Sequence, residues 1–343
     1  MKKKIAIIGS GIAGLTAANL FKENSIFEVI VYEKEKTLSL EEGYGIQLSP
    51  NSTSILNKIG LSNIDNKDFF NPSKLNFYSS ENQKICDLDL SRFNSQKFKY
   101  TTLKRSVLIE LLKNKLFSNN LKFGKEIKKV SKIKDKLLIN FKDNTNDLVD
   151  FIIVSDGVFS NTKSVIENKN IQPIYNGSIA IRSILKNLSE FHYDKNNISL
   201  VMLKNAHVVI YPINKTGDLN VVCIIRQKLS NNIDLKALIK KEIFSQNKNL
   251  ENLFENKLEY WPIYTSKKPS KSIYENLFYI GDAFYTFPPT MAQGASQSIE
   301  AANELFDLLS KDNKHTSDLF FKKRFERTKV INRRSKLNHH IFH

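Results

Sequence analysis

Four residues near the start of the chain have the types and spacing to bind a dinucleotide. Gly9, Gly11 and Gly14 form a G-x-G-x-x-G motif, and Glu33 lies 19 positions after Gly14. In such a motif the first glycine allows a tight turn, the second lets backbone N–H groups approach a pyrophosphate, and the third lets helix and strand pack closely. A carboxylate at Glu33 would accept hydrogen bonds from ribose hydroxyls. Because NAD, NADP and FAD all use this turn, the motif leaves the choice of dinucleotide open.

Two acidic dipeptides later in the chain extend the candidate site. Asp156-Gly157 and Gly281-Asp282 each directly follow a short apolar run. Ligands of α/β sheets bind at the carboxyl ends of the strands, so we expect both dipeptides at that edge. Asp-Gly and Gly-Asp are also ordinary turn dipeptides. Their position after two buried strands, in a chain that opens with a dinucleotide motif, favours ligand contact.

The elements that must position these residues are predicted by hydrophobic pattern. Residues 5–8 read as a strand buried on both faces, residues 15–21 as a helix, and residues 28–32 as a second strand that ends at Glu33. The basic start at Lys2–Lys4 and the apolar residues after it also resemble a secretory signal. Since strand, helix, strand and acid occur in the register of a βαβ unit, the nucleotide-binding interpretation is favoured.

Composition excludes several classes of protein. The chain has 343 residues, with 52 Lys and Arg against 35 Asp and Glu, a net charge of +17. The two cysteines, Cys86 and Cys223, are too few for a disulfide framework and fit a reducing cytoplasm. Outside the first 21 positions, no run of 18 uncharged apolar residues offers a membrane span. These features predict a globular cytoplasmic protein.

The C-terminal residues 311–343 carry ten Lys and Arg and three Asp and Glu, and so contribute +7. Such a basic segment fits contact with nucleic acid or with a membrane surface. We favour a solvated helix that covers the domain. The side chains expected to pack inward are Phe320, Phe321, Phe325, Val330 and Ile331.

Taken in order along the chain, the motifs match a known family. The matching segments are Gly9-x-Gly11-x-x-Gly14 with Glu33, Gly43-Tyr-Gly-Ile-Gln-Leu-Ser-Pro-Asn51, Arg105 in Leu103-Lys-Arg-Ser-Val-Leu, Asp156-Gly157, Tyr211-Pro212, and Gly281-Asp282-Ala283 through Ala292-Gln-Gly294. The chain resembles the single-component FAD-dependent aromatic hydroxylases, flavoprotein monooxygenases of the p-hydroxybenzoate hydroxylase superfamily. The salicylate hydroxylase-like branch is most similar, because Trp261-Pro-Ile-Tyr264 and Ile341-Phe-His343 also match it.

The resemblance implies an α/β fold. It has a discontinuous, Rossmann-like FAD-binding domain, a β-sheet substrate domain and C-terminal helices. We assign residues 1–75, 98–165 and 265–310 to the FAD-binding domain, 76–97 and 166–264 to the substrate domain, and 311–343 to a C-terminal helical segment. Strands of the substrate domain are predicted at 178–185, 198–203, 206–213 and 219–225, with a helix near 234–244.

The resemblance also implies the cofactors. Glu33 would hold the adenosine ribose of FAD, Arg105 would contact FAD, and Asp282 would hydrogen-bond the ribityl chain. The helix after Gly294 would point its N-terminus at the isoalloxazine, where its dipole stabilises negative charge on reduced flavin. NADH or NADPH would act as a transient co-substrate near Asp156-Gly157. The full set of cofactor-binding candidates is Gly9, Gly11, Ile12, Ala13, Gly14, Glu33, Lys34, Gln47, Arg105, Asp156, Gly157, Gly281, Asp282, Pro289, Gln293, Gly294 and Ala295.

In the family, NAD(P)H reduces FAD, O₂ adds at the flavin C4a, and the hydroperoxyflavin passes its distal oxygen to a phenolic ring. A phenol reacts faster as phenolate, so a base or proton relay near the ring is useful. The catalytic candidates are His207 as base, Tyr211 as relay or ring contact, Arg182 as clamp for a substrate carboxylate or partner for NAD(P)H, and Pro289 beside the flavin. His207, Tyr211 and Arg182 also fit as solvent-facing polar residues of an edge strand.

Two positions depart from the family pattern. Phe284-Tyr285 stands where many relatives have Ala-His, so the role of that histidine is lost or taken by the tyrosine. Lys163 stands where the family has an arginine after the Asp-Gly pair, which keeps the charge but not the planar fork.

Other classes of protein fit less well. A second G-x-G-x-x-G, expected of Baeyer–Villiger-type and disulfide-reductase-type flavoenzymes, does not occur in the sequence, and one tryptophan cannot supply a halogenase W-x-W-x-I-P motif. No G-x-S-x-G, C-x-x-C or H-E-x-x-H occurs, so neither a serine nucleophile nor a metal site is predicted.

Three alternatives stay open. The main one is a ubiquinone-pathway hydroxylase that acts on a prenylated phenol and docks on anionic lipid at the inner membrane face through its basic tail. The others are a plain NAD-dependent dehydrogenase and a nucleotide sensor that binds nucleic acid. We expect a cytoplasmic monomer or homodimer that takes a small aromatic substrate and O₂ and binds no nucleic acid.

Overall fold

A computed structural model describes residues 2–38, 44–186, 192–230, 232–254, 258–311 and 315–343. Gly43, which belongs to one of the family-matching segments, lies outside these residues. Within them the α-helices are α1 Ile12–Lys22, α2 Pro50–Ile59, α3 Arg105–Asn114, α4 Asn161–Glu167, α5 Leu235–Ile239, α6 Gly294–Leu309 and α7 Thr316–Ile341.

The strands, in chain order, are β1 Lys3–Ile8, β2 Phe27–Tyr32, β3 Gly45–Leu48, β4 Phe69–Phe70, β5 Lys74–Tyr78, β6 Lys84–Asp89, β7 Thr101–Lys104, β8 Leu121–Lys122, β9 Ile127–Ile133, β10 Lys136–Phe141, β11 Asn146–Val149, β12 Phe151–Val154, β13 Ile174–Leu185, β14 Ile198–Leu203, β15 Ala206–Pro212, β16 Leu219–Arg226, β17 Glu259–Thr265 and β18 Leu277–Tyr279.

A five-stranded parallel sheet in the order β18-β12-β1-β2-β8 forms the centre of the nucleotide-binding half. The run from Ile5 to Ile8 in β1 is buried on both faces, because Ile5 and Ile7 pack against α1 and α6 while Ala6 and Ile8 pack against the β9–β11 sheet. Helix α1 packs beside α6, and apolar residues of both, including Leu15, Phe21 and Leu305, share one core. The predicted βαβ unit is therefore confirmed, and Gly9, Asp156 and Gly281 all follow strands of this sheet.

A seven-stranded sheet in the order β17-β13-β16-β15-β14-β5-β6 forms the second half. Its pairs are antiparallel except that β14 runs parallel to β5. Alternate residues such as Ile181, Val208 and Ile225 point into a core shared with Ile239 of α5. Arg182 and Tyr211 therefore lie on the opposite face. The four predicted strand runs are confirmed, and the predicted helix near 234–244 is α5 followed by a π-helical turn, Lys240–Phe244.

Two small sheets complete the layers. Strands β9, β10 and β11 form an antiparallel sheet, and β3, β7 and β4 form a bridge between the two large sheets. At this bridge the Gly45 N–H donates to Asn220 Oδ1 over 2.7 Å, and Lys104 pairs with Asp218 over 2.8 Å. The bridge holds the end of β15 and β16 against the nucleotide-binding half.

Helix α7 packs one face against the rest of the molecule. Its buried residues, Thr316, Phe320, Arg324, Thr328, Ile331 and Ser335, are spaced three or four apart and so form one stripe. The expectation that Val330 packs inward is wrong. Its side chain is 47% exposed, because one residue turns an α-helix by about 100° and so moves Val330 off the stripe that includes Ile331.

The other aromatic residues of α7 take intermediate positions. Phe320 is buried as expected, while Phe321 and Phe325 are half-buried and stack with ring centroids 6.0 Å apart. Among the described helices, none combines the length and apolar character that crossing a bilayer requires.

The sheets divide the chain much as the predicted domains do. The parallel sheet draws its strands from residues 3–32, 121–154 and 277–279, and the seven-stranded sheet from residues 74–89, 174–226 and 259–265. The predicted boundary at residue 75 falls inside β5. The domain assignment itself stays a prediction.

Candidate active site

A cleft of about 240 Å³ lies at the carboxyl edge of the parallel sheet. Its walls come from the loop after β1, the end of β2 and the loop after β12. Six of the predicted cofactor-binding residues line it: Gly9, Gly11, Glu33, Lys34, Asp156 and Gly157. The structure therefore brings together the first motif, its acid and the first acidic dipeptide, as the strand order predicts.

The tight packing beneath this cleft explains two of its glycines. A Cβ atom on Gly14 would lie 2.0 Å from the Gly9 carbonyl oxygen, so α1 can approach the loop only without a side chain there. Gly9 has φ of +100°, and a Cβ atom would lie 2.8 Å from Asp156 Cα. At both positions an added Cβ atom would contact backbone atoms, so a larger residue would force the turn itself to move.

Three other glycines of the motifs border open space instead. A Cβ atom on Gly11, Gly157 or Gly294 would meet nothing within 4 Å. At Gly11 and Gly294 neither packing nor backbone conformation demands glycine, whereas close approach of a ligand to the backbone would. At Gly157 the φ of +85° also favours glycine. The three glycines form an uncovered backbone surface at the loops after β1 and β12 and at the start of α6.

Glu33 is held at the rim of the cleft by the glycine-rich loop. Its Oε2 atom accepts hydrogen bonds from the Ser10 N–H at 2.9 Å and the Ser10 hydroxyl at 2.6 Å. Its Oε1 atom accepts from the Glu35 N–H at 3.0 Å. Since a carboxylate has about four acceptor positions, Glu33 keeps capacity for ribose hydroxyls while its orientation is fixed.

A buried lysine interacts electrostatically with both predicted acids. Lys163, in α4, is only 4% exposed. Burial lowers the pKa of Lys163, and the negative charges of Asp156 and Asp282 oppose that shift. The sequence marked Lys163 only as a departure from the family arginine. Its burial and its interaction with the acids were not visible, because they depend on where β12, α4 and β18 meet.

Both acids carry raised pKa values. Burial raises the pKa of Asp156, hydrogen bonds from Ser160 and Thr162 oppose the shift, and the buried Oδ1 atom has no hydrogen-bond partner among the described residues. Burial raises the pKa of Asp282 to about 6, against the charge of Lys163. Asp282 is exposed on its open side, and with a pKa near 6 it is mainly ionised at neutral pH. The unpaired Oδ1 atom of Asp156, a residue that lines the cleft, fits a ligand that donates hydrogen bonds.

The start of α6 forms the next part of the site. A short 3-10 turn, Pro289–Met291, is followed by Ala292 with φ of +51° and by Gln293, which caps the helix that begins at Gly294. Gln293 Nε2 lies 3.4 Å from Ser49 Oγ, just after β3. The N-terminal N–H groups around Gly294 and Ala295 supply partial positive charge at this point.

Gln47 lies in β3 and Arg105 directly follows β7, so both belong to the bridge between the two halves. Arg105 begins α3, and its backbone N–H donates to the Tyr44 carbonyl over 2.8 Å. The Tyr100 hydroxyl donates to Gln47 Oε1 over 2.7 Å, and Gln47 also hydrogen-bonds Tyr211. Gln47, which is predicted to contact the cofactor, therefore also touches Tyr211 of the second sheet.

Arg182 lies in an aromatic cage that the sequence did not indicate. Its guanidinium carbon is 5.6 Å from the ring centroids of both Tyr44 and Trp261, and these two rings meet edge to face at 4.9 Å. The Tyr44 hydroxyl donates to Glu259 over 3.3 Å. Within the described part of the chain, the buried Nε of Arg182 has no hydrogen-bond partner. We call Arg182, Tyr44 and Trp261 the Arg182 cage.

Tyr211 lies near the Arg182 cage and is fully enclosed. Burial raises the pKa of Tyr211, and Arg182 and Gln47 oppose the shift. Burial, with a smaller effect of Tyr211, also raises the pKa of Tyr100. Both phenols are therefore neutral near pH 7 and can donate a hydrogen bond.

His207 occupies a different place. Its Nδ1 atom is 2.6 Å from Nε2 of His343, and its ring meets Phe342 at 5.4 Å. Burial, with the charges of His343 and His339, lowers its pKa well below the usual value. Four residues along a strand span about 13 Å, so His207 is well separated from Tyr211. The structure brings Arg182 and Tyr211 together, but its contacts for His207 are with the C-terminal residues.

The interpretation of His207 and Tyr211 as solvent-facing residues of an edge strand is wrong. Strand β15 is an inner strand between β14 and β16, and His207 and Tyr211 are 1% and 3% exposed. Pro289, by contrast, is exposed at the turn before α6. At the position of the family histidine, the Tyr285 hydroxyl accepts from Asn332 Nδ2 of α7 over 2.8 Å.

Comparison with known proteins agrees with this geometry. The family described as "FAD binding domain" matches residues 2–318. The chain is 25% identical to a 6-hydroxynicotinate 3-monooxygenase of Pseudomonas fluorescens, over 93% of this chain and 85% of that protein. It is 24% identical to a 3-amino-4-hydroxybenzoate 2-monooxygenase of Streptomyces platensis, over 100% of this chain and 89% of that protein.

Solved structures have the same fold. HpxO of Klebsiella pneumoniae, solved with FAD and uric acid, superposes with a TM-score of 0.88 at 18% identity, over 99% of this chain and 89% of that one. A salicylate hydroxylase substrate complex superposes with a TM-score of 0.83 at 15% identity, over 99% and 89% of the two chains.

The fold, the cleft and these matches define a flavin-dependent oxidoreductase. The chain belongs to the FAD-binding family of aromatic hydroxylases, and it is an FAD-dependent monooxygenase. This family decides the choice that the glycine motif left open, in favour of FAD. The residues fit that cofactor, because the uncovered backbone at Gly11, Gly157 and Gly294 and the unpaired Asp156 oxygen lie where a dinucleotide is expected.

Proposed function

We propose that this protein uses NAD(P)H and O₂ to hydroxylate a small, carboxylated aromatic ring that carries a hydroxyl group. The observation that carries the proposal is the Arg182 cage. A guanidinium with a buried, unpaired N–H, held against a pair of aromatic rings, is suited to a flat anion. The relatives named for 6-hydroxynicotinate and 3-amino-4-hydroxybenzoate act on rings of this chemical class.

The cage supports binding by two interactions. Arg182 would pair with the substrate carboxylate through charge-assisted N–H donors. Tyr44 and Trp261 hold the guanidinium plane in place by cation–π contact, worth about 0.5–2 kcal/mol, so less conformational freedom is lost when the anion binds. A neutral, lipophilic phenol would leave the buried Nε–H of Arg182 without a partner, at a cost of about 1–3 kcal/mol.

Tyr211 is placed to move or hold the proton of the substrate hydroxyl. Its own hydroxyl bonds Gln47, which also accepts from Tyr100. Because Arg182 lowers the pKa of Tyr211 against the effect of burial, the positive charge favours negative charge on this oxygen or on a phenolate beside it. We assign Tyr211 as the relay; His207 stays a prediction, since its contacts are with Phe342 and His343.

The remaining residues serve the cofactor. When bound, FAD supplies the electron transfer and oxygen activation that no side chain here provides. Glu33 would hold the adenosine ribose, Asp282 the ribityl chain, and the N-terminus of α6 the negative charge of the reduced ring. Arg105 and Gln47 lie between these contacts and the substrate face.

The test is a matched set of substrates with FAD-loaded protein. Carboxylated rings (6-hydroxynicotinate, 3-amino-4-hydroxybenzoate and salicylate) would be compared with the same rings lacking the carboxylate. NADH and NADPH oxidation, O₂ uptake and the hydroxylated product would be measured together. We expect carboxylated rings to stimulate NAD(P)H oxidation, with one product formed per O₂ consumed.

Two results would contradict the proposal. Preference for a prenylated phenol over every aromatic acid would favour the ubiquinone-type alternative. NAD(P)H oxidation that releases only hydrogen peroxide, with every ring tested, would mean that oxygen is not transferred to an aromatic substrate of this class.

A further inference from the structure

Helix α7 carries a buried arginine that no cofactor or substrate role explains. Arg324 is 3% exposed and lies on the stripe that packs inward. Its Nη2 atom donates to Gln297 Oε1 over 2.7 Å, while Nη1 lies 3.5 Å from carboxylate oxygens of Glu300 and Glu304. Burial lowers its pKa and the two glutamates oppose that shift, so the group stays charged.

The two glutamates explain why Arg324 stays charged, but they do not explain which group makes its shortest hydrogen bond. Glu300 is shared with Arg327, which reaches it by two hydrogen bonds of 2.8 and 3.0 Å. The shortest contact of Arg324 is therefore with a neutral amide, not with a carboxylate. A buried charge-assisted hydrogen bond of this kind fixes the orientation of its acceptor.

Because arginine only donates hydrogen bonds, Arg324 fixes the orientation of the Gln297 amide. Arginine has five N–H donors and no acceptor, so the oxygen of Gln297 must face Arg324 and its NH₂ group must face away. That NH₂ group lies 3.2 Å from Gln293 Oε1. The oxygen of Gln293 is fixed in turn, and its own NH₂ group points toward Ser49, 3.4 Å away.

The end of this series lies at the predicted flavin site. Gln293 caps α6, and Gly294 is the first residue of the helix whose N-terminus would face the isoalloxazine. The same helix α7 also holds the turn before Gln293, because the Thr290 hydroxyl donates to the Ser335 carbonyl over 2.6 Å. Gln293 therefore presents a donor, rather than an acceptor, on the side of the β3 loop.

We propose that Arg324 is a positioning residue for the flavin site: acting through Gln297, it sets the orientation of the Gln293 amide at the start of α6. This inference rests on the proposed contact of Gln293 and Gly294 with FAD. A donor held there stabilises negative charge on the reduced ring, as the helix N-terminus does. If the amide turned over, an oxygen would replace the donor and favour the oxidised cofactor.

The experiment measures FAD binding and the properties of the bound flavin, not turnover, so its result does not depend on which substrate is hydroxylated. Arg324→Met, Gln297→Met and the double variant are made, with Arg327→Gln as the matched control on the same helix and the same Glu300. FAD affinity of the apoprotein, the visible spectrum of the bound flavin and its reduction midpoint against a reference dye are recorded. Melting of each apoprotein reports stability separately.

We expect Arg324→Met and Gln297→Met to weaken FAD binding by about five-fold each, the loss of one net hydrogen bond. Both should change the flavin spectrum alike and shift the midpoint to lower potential. Because the residues act in series, the double variant should also be about five-fold weaker, not about 25-fold. Arg327→Gln should leave affinity, spectrum and midpoint unchanged, and Arg324→Lys should restore part of the affinity.

Gln297→Met keeps the test decisive if Arg324→Met does not fold. A lower melting temperature of the Arg324 variant together with wild-type FAD affinity and spectrum in Gln297→Met would overturn the proposal and leave Arg324 a purely structural residue. Additive losses in the double variant would overturn it too. Failure of the proposed hydroxylation with these shifts intact would affect only the substrate assignment.

Discussion

The nucleotide cleft and the Arg182 cage are built in different ways. The cleft is formed mainly by backbone at the ends of parallel strands, and its glycines and acids stand directly beside those strands in the chain. The cage is formed by side chains of Tyr44, Arg182 and Trp261, which are separated by 138 and 79 positions along the chain. A site made of backbone leaves a local pattern in the sequence, whereas a site made of side chains on different elements leaves none.

The largest effect should come from the closest backbone contact in the cleft. Gly14→Ala places a Cβ atom 2.0 Å from the Gly9 carbonyl oxygen, and neither group is free to move away. We expect loss of FAD on purification and a free energy of unfolding lower by about 1–3 kcal/mol. Flavin content and thermal melting of the apoprotein would measure both.

Gly11→Ala is the matched control, because its Cβ atom would meet nothing within 4 Å. It should leave apoprotein stability within about 0.5 kcal/mol of wild type while weakening FAD binding. Equal stability losses in the two variants would show that the division between packing glycines and ligand-facing glycines is wrong.

Substitutions in the Arg182 cage should have the opposite effect: they should lower kcat/KM for the substrate and leave FAD binding unchanged. Arg182→Gln removes the proposed partner of the substrate carboxylate, so kcat/KM for a carboxylated ring should fall by about 10- to 100-fold. Arg182→Lys should fall less, since it keeps the charge but loses the planar fork. Steady-state kinetics and FAD titration would measure the two sites in parallel.

The ring without a carboxylate is the control for Arg182. Its kcat/KM should change little in Arg182→Gln. A fall of the same size for both rings would mean that Arg182 acts on NAD(P)H or on the fold, not on the substrate carboxylate.

A smaller effect is expected from the hydroxyl of Tyr211. Tyr211→Phe removes the proposed relay, and kcat should fall by about 5- to 10-fold, equivalent to one hydrogen bond, with KM less affected. Tyr100→Phe removes the other hydroxyl on Gln47 and is the control. If both variants lower kcat equally, the effect passes through Gln47 and Tyr211 is not the relay.

The smallest effect concerns the pH dependence of FAD binding. Burial raises the pKa of Asp282 to about 6 against the charge of Lys163. Below that pH the carboxylate gains a proton and loses acceptor capacity, so FAD affinity should fall about five-fold as pH drops through 6. Above pH 7 it should be constant. Fluorescence titration of apoprotein between pH 5 and pH 8 would measure it.

Two variants test this assignment. Asp282→Asn should remove the step near pH 6, and Lys163→Met should move it to higher pH, because the charge that lowers the pKa of Asp282 is gone. A step that persists unchanged in Asp282→Asn would assign the titration to another group.

The sequence was a good guide wherever function depends on consecutive residues. The G-x-G-x-x-G loop, Glu33 and the dipeptide Asp156-Gly157 were found from spacing, and the structure places them in one cleft. The helix that begins at Gly294 was also predicted correctly. These features were visible because a strand, its turn and the next helix impose their residue types locally.

Contacts between distant elements were missed or misjudged. Lys163 was seen as a substitution and not as a buried partner of two acids, and Val330 was placed inside when Arg324 and Thr328 occupy the inward stripe. His207 was favoured as a base from its residue type, while its contacts are with Phe342 and His343. Each depends on which face of an element meets which neighbour, and periodicity alone does not state that.

By itself, then, the amino-acid sequence determined the parallel βαβ unit, its backbone cradle for a dinucleotide and the flavoprotein family. Only the tertiary structure decided which side chains of distant elements meet: Arg182 with the rings of Tyr44 and Trp261, Tyr211 with Gln47, and Arg324 with Gln297 of α6. The reason is physical. Backbone geometry at a strand end is set by residues adjacent in the chain. The contacts of a side chain are set by the packing of elements that are far apart in the chain.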